Sequence, residues 1–204
     1  MKILKEVCVE NLTEALEAEK RGADRIELCD NLSFGGTTQS YGTIKKALEK
    51  LKIPVFPIIR PRSGDFFYTE DEIEIMKEDV KICKSLGAEG VVLGMLTKDK
   101  KIDFSLVKEF VSLAYPMEVT FHKAIDELEN PVEAIEGLIN AGVKRILSSG
   151  TKVTALEGAE ILNKMIEKAD GRITIVVAGR VTAENFQEVS EKIPAFEYHG
   201  KKIV

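Results

Sequence analysis

Arg25, Glu27 and Cys29 alternate along the chain with Ile26 and Leu28. If these residues form a strand, successive side chains point to opposite faces, so the two charges and the thiol share one side and the aliphatic pair the other. In a central strand the polar side is an interior one. A buried Arg and Glu must then be paired with each other or serve a ligand. The chain leaves this stretch through Asp30 and Asn31 into Gly35-Gly36, flanked by the hydroxyls of Ser33, Thr37, Thr38 and Ser40. Such a loop can bring backbone N–H groups close to an anion.

Other reactive groups fall at comparable places. Cys8 shares its parity with Glu6 on the preceding apolar stretch, and two thiolates from adjacent strand ends are what a soft Cu(I) ion selects. The plainer reading is that Cys8 and Cys29 are small buried core residues, and it applies with more force to Cys83 beside Ile82. Arg60 and Arg62 are forked donors suited to a carboxylate or phosphate. His122 and His199 could move a proton near neutral pH, with Asp126 or Glu197 nearby. Together with Arg25 and Glu27 this set suits an isomerase, epimerase or lyase acting on a small anionic substrate. The same charges could instead fill the interior as a salt-bridge network.

Two further sets are weaker. Ser149-Gly150 and Gly179-Arg180 precede helical stretches, and a helix starting near Thr182 would aim its N–H groups at a phosphate there. Glu6, Glu27, Glu118 and Glu197 could hold a hard divalent cation. Lys123 invites a Schiff-base reading, but its parity turns it away from His122.

These residues need a frame. Apolar stretches at 3–9, 24–28, 53–60, 89–94, 117–122, 144–150, 172–180 and 195–200 alternate with amphipathic ones, giving eight expected strands and seven helices. Helix starts are marked by Asn11, Thr69, Asp103, Asn130 and Thr182, and stops by Gly22, Gly87 and Gly142. Alternation of this kind means a parallel sheet. Eight repeats without a GxGxxG after the first strand favour a closed (β/α)8 TIM barrel over an open doubly wound sheet. Apart from Cys83, the groups named above then lie at the carboxyl ends of strands or in the loops that follow them, where barrels keep their chemistry. The only two histidines both do. The barrel is compact, with its eighth helix missing or reduced to KKIV, and the apolar surface this leaves makes a homo-oligomer the expected state.

Composition sets the outer bounds. At 204 residues and 44% hydrophobic, the chain can bury a full core and is expected to form a single domain over 1–204. A net charge of −5 with Lys and Glu interspersed argues against nucleic acid as a partner. No apolar run reaches the length of a membrane span or a secretory leader. The expected location is cytoplasmic, with three cysteines present as thiols.

The runs EVC, GADRIELCDNLSFGGTTQS, IRPRSGDFFY, GVVLGMLTKDKKID, TFHKAID, KRILSSG and EYH, in that order, resemble the CutC family, named for copper homeostasis. The likeness covers nearly the whole chain. It implies a cytoplasmic TIM-barrel protein that handles copper, with Cys8 and Cys29 in the positions of the family's proposed copper-binding pair and no organic cofactor. The chain departs from the family at Lys123, where Arg is usual, at Gln39, where Pro is usual, and at Ala178-Gly179-Arg180, which replaces a glycine cluster.

Overall fold

The chain runs β1 (Leu4–Val9), α1 (Leu12–Lys20), β2 (Arg25–Leu28), α2 (Tyr41–Lys50), β3 (Val55–Pro57), α3 (Glu70–Ser85), β4 (Gly90–Leu93) and α4 (Phe104–Ala114). It continues through β5 (Glu118–Phe121), α5 (Ala134–Ala141), β6 (Arg145–Ser148), α6 (Ala159–Ala169), β7 (Thr174–Val177), α7 (Phe186–Lys192) and β8 (Glu197–His199). This computed structural model describes residues 3–204, so Met1 and Lys2 of the expected domain lie outside the described residues. Short polar residues set the helix starts by accepting otherwise free N–H groups. Asn11 takes the N–H of Glu14, Asp103 that of Leu106, and Thr69 exchanges bonds with Glu72 in a capping box.

All the strand pairs are parallel, in the order β3-β2-β1-β8-β7-β6-β5-β4. The two ends of that order meet through a bridge between Ile58 and Val92 and an N–H of Ile59 donating to Val92 at 2.7 Å, which closes the expected (β/α)8 TIM barrel. The thin seam is therefore at β3/β4. Pro54 and Pro57 lack the N–H groups a longer ladder there would need. At β8, by contrast, the sheet is continuous, with Leu4, Lys5 and Glu6 in register with Glu197, Tyr198 and His199. Among the described residues no helix follows β8, which bears only on the outer layer. The place of an eighth helix is partly taken by the KKIV tail, where Lys202 pairs with Thr182 and Ile203 is fully buried. Phe186 meets Tyr198 edge-on at 5.1 Å, and the Lys5 ammonium lies 4.4 Å over the Phe186 ring.

Three helices become regular only some residues after the polar residue that precedes them. After Asn130, Pro131 opens a turn and α5 becomes regular at Ala134. Thr154 exchanges hydrogen bonds with Glu157, but the N–H of Ala155 crosses to Gly179, delaying α6 to Ala159. Thr182 is extended, gives its N–H to Asn185 Oδ1, and α7 starts only at Phe186.

The main core lies between strands and helices, and two small apolar clusters sit inside the barrel: Cys29, Phe56, Ile58 and Val92, and opposite them Leu147, Val176 and Ala178. Below them the interior is charged. Arg25 pairs with Glu6 and, at 2.5 Å, with Glu197; Arg145 joins Glu197 at 3.2 Å to Glu118 at 2.6 Å. Both guanidinium groups contact the Phe56 ring, 5.1 and 5.3 Å from its centroid.

Candidate metal centre

Strand register assembles the site. Cys8 is the ladder partner of Glu27 across β1/β2, and Glu6 is the ladder partner of His199 across β1/β8. Parity turns all four inward. The sulfur of Cys8, a carboxylate oxygen of Glu27 and a ring nitrogen of His199 consequently lie within 4.8 Å of one another. They form one wall of a cavity of about 170 Å³ that Cys29, His122 and Lys123 also line.

Glu6 controls this wall from below. Burial alone would raise its carboxyl, but Arg25 and His199 hold it down to about 2. An ionised carboxylate can only accept, so the 2.8 Å contact between Glu6 and His199 Nδ1 fixes the proton on Nδ1 and leaves Nε2 on the side of Glu27, 3.6 Å away. Burial opposes the charged imidazole of His199, but Cys8, Glu27 and Glu6 outweigh it and raise its pKa well above the ordinary value. Glu27 is raised by burial and by Glu6, against the pull of His199. Cys29 is pushed well up by burial and by Glu27 and Cys8.

Cys29 is held by its backbone as well: its N–H donates to Val9, and its carbonyl accepts from Gln39 Nε2 at 2.9 Å. Gly36, at φ +84°, lets the following loop turn over the thiol, where an added Cβ would stand 3.3 Å from Ile58 Cδ1 and in ordinary contact, 3.5 Å, with the Cys29 sulfur. The Gly35-Gly36 pair thus packs the loop onto the thiol and onto Arg60.

The other expected groups are engaged elsewhere. Arg60 is buried over the Phe66 ring and donates to the carbonyls of Phe34, Gly36 and Gly64, so its fork ties loops together. Arg62 lies outside the cavity, paired with Glu72 at 2.5 Å and Asp65 at 3.1 Å. His122 lines the cavity, yet burial and Arg60 push its pKa down to about 3. Its Nδ1 accepts the Ala124 N–H, and the neutral ring is no proton shuttle at neutral pH.

Asp126 answers the question of the phosphate corner. It accepts from Ser148 Oγ at 2.5 Å, from the N–H and hydroxyl of Ser149 at 2.9 and 3.0 Å, and from the Thr151 N–H at 3.1 Å. The donors expected to hold an anion thus already hold an internal carboxylate. Gly150 and Gly179 are packed against Gly158 and Ala155, and Arg180 is exposed. The α7 N-terminus, displaced to Phe186, does not complete a cradle. The four glutamates are not brought together either, because Glu6, Glu118 and Glu197 serve Arg25 and Arg145. Lys123 is exposed at the rim, 3.8 Å from Asp126. Cys83 is a core thiol on α3, raised to about 12 by burial and by Asp79.

Sequence reasoning undervalued Glu6, whose shared parity with Cys8 was the available signal, and Gln39, whose role depends on the loop path.

Fold and site together define an eight-stranded α/β barrel whose mouth gathers a thiol, a carboxylate and an imidazole above a buried ion network. The sequence model of the CutC family matches residues 3–204, and the chain belongs to that family. It is 45% identical to the human copper homeostasis protein cutC homolog over 196 residues, 96% of this chain and 72% of that one. It is 44% identical to a CutC family protein of Chromobacterium violaceum, over 96% of this chain and 79% of that one. A Streptococcus agalactiae structure assigned as the copper homeostasis protein CutC superposes with a TM-score of 0.93 at 37% identity, over 99% of this chain and 100% of that one.

Proposed function

We propose that the protein handles copper by holding Cu(I) at the barrel mouth, with Cys8 as the anchoring thiolate and Cys29 as the second sulfur. The observation that carries this reading is the shared cavity: both thiols line one space of about 170 Å³. Soft thiolates select Cu(I) over harder ions, and both residues are largely shielded from water. The names of the human and Streptococcus relatives, which specify copper homeostasis, support the same reading.

A small anionic substrate finds less support. Arg60 is committed to three carbonyls and Asp126 to the β6 loop. Three free thiols suit a reducing, cytoplasmic location, and among the described residues no helix is long and apolar enough to cross a membrane. Self-association belongs to the same reading, supported by Ile3 and Phe196, which are 39% and 52% exposed near the amino ends of β1 and β8.

The test is a competition titration of Cu(I) against a chelator of known affinity under reducing conditions. One tightly bound ion per chain, lost in Cys8→Ser and in Cys29→Ser, is the expected result. Weak binding that neither substitution changes rejects the proposal.

A further inference from the structure

Cys29 is not part of the tightest donor cluster at the mouth, which consists of Cys8, Glu27 and His199. We infer that these three residues form a second ligand set, for a borderline divalent cation of the Zn(II) class, sharing Cys8 with the proposed Cu(I) pair. The inference rests on the reading of the mouth as an ion site but assigns different ligands and a different ion.

Donor chemistry is the first argument. One sulfur, one imidazole nitrogen and one carboxylate oxygen make a mixed set that suits Zn(II), whereas Cu(I) favours sulfur. Bonds of about 2.0–2.3 Å in a tetrahedron place ligand atoms roughly 3.3–3.8 Å apart. Donors already within 4.8 Å of one another therefore need to close by only about 1 Å or so.

Charge is the second. A thiolate and a carboxylate beside a neutral imidazole carry two negative charges, which a divalent ion balances. Buried charges left without such a partner are costly.

The support beneath the histidine is the third. Glu6 accepts from His199 Nδ1 and is itself held by Arg25, so Nε2 is the nitrogen left for a metal. A carboxylate behind a ligating imidazole is the usual way that such a ring is oriented. All three donors face the cavity, so the fourth position opens on it, as in zinc sites that keep a place for water or a small ligand. His122 lines the same cavity, is 5% exposed, and its Nε2 has no hydrogen-bond partner among the described residues. A water or oxygen ligand in the cavity would supply the acceptor that this N–H lacks.

The experiment uses the full chain with Zn(II) in competition against a chromophoric chelator and with Co(II) as a spectroscopic probe. We expect one Zn(II) per chain. The Co(II) form should show charge transfer from one thiolate in a tetrahedral field. His199→Asn and Glu27→Gln should weaken Zn(II) binding by more than the roughly 10–100-fold that losing an outer-shell partner costs, while Cys29→Ser should leave Zn(II) binding within about 3-fold and abolish tight Cu(I) binding. Failure of the wild type to bind stoichiometric Zn(II), a two-thiolate cobalt spectrum, or loss of Zn(II) binding in Cys29→Ser overturns the inference. The cobalt spectrum needs no variant, so a misfolded substitution does not obscure the answer. If Zn(II) fails while Cu(I) still depends on Cys8 and Cys29, the inference falls and the copper reading stands. If Cu(I) binding is also independent of the thiols, both fall.

Discussion

Glu6 Oε1 lies 2.8 Å from Nδ1 of His199, while the other oxygen of the same carboxylate is bound by Arg25. The orientation of an imidazole at the barrel mouth thus depends on a guanidinium one layer deeper. The charged interior of this barrel acts as the support of its candidate site.

Removing that guanidinium should be expensive. Arg25→Met leaves Glu6 and Glu197 buried without their shared partner, and breaking a buried pair on one side costs about 3–5 kcal/mol. The midpoint of urea unfolding should fall accordingly. Adding Glu6→Gln to that variant should recover part of the loss, since one stranded charge is then gone. A midpoint unchanged in Arg25→Met would show that the network carries no such weight.

Phe56 can lie against both guanidinium groups because position 90 has no side chain. A Cβ there would stand 2.4 Å from the ring. Gly90→Ala should destabilise the fold by about 1–3 kcal/mol through overpacking of a rigid ring. Chemical denaturation measures this directly, and a neutral result would mean that Phe56 has room to move.

His122 should make the protein acid-sensitive. Its pKa is about 3 in the native state and near 6.5 when exposed. Between those values the unfolded chain binds a proton that the native chain refuses, so stability is lost as pH falls from 6.5. The loss approaches about 1.4 kcal/mol per pH unit for one proton. His122→Asn, which keeps an acceptor for the Ala124 N–H, should show a flatter dependence than the wild type between pH 6.5 and 4.5. Equal slopes would contradict the assignment of a neutral buried ring.

Asp126 should prove structural. In Asp126→Ala the N–H groups of Ser149 and Thr151 lose their acceptor, and their amide hydrogen exchange should accelerate by one or more orders of magnitude. Cu(I) affinity should stay within about 3-fold of the wild type, because this corner is separate from the thiols. A large loss of copper binding would tie the corner to the site after all.

The barrel and the inward face of its second strand were legible in the sequence, because both follow from periodicity. Arg25, Glu27 and Cys29 alternate with aliphatics, and both histidines fall at strand ends. Local strand patterns could not say which groups were free. Arg60 reads as a ligand-binding fork until the loops at 34–36 and 64 are seen to present carbonyls to it. Asp126 reads as the carboxylate beside a proton-moving histidine until the β6 loop is seen wrapped around it. Pairings of this kind depend on how loops return to the barrel, which no residue period encodes. The thin closure at β3/β4 was not legible for a related reason: it depends on how Pro54 and Pro57 shorten β3, which the periodicity of the apolar stretches does not show.

The most direct test of the account is to locate the ion. Crystals grown with Cu(I) under reducing conditions should give, at the copper absorption edge, a single anomalous peak in the mouth cavity, bonded to the sulfurs of Cys8 and Cys29. A peak elsewhere on the molecule, or none at full copper loading, would contradict the claim that the barrel mouth is the copper site.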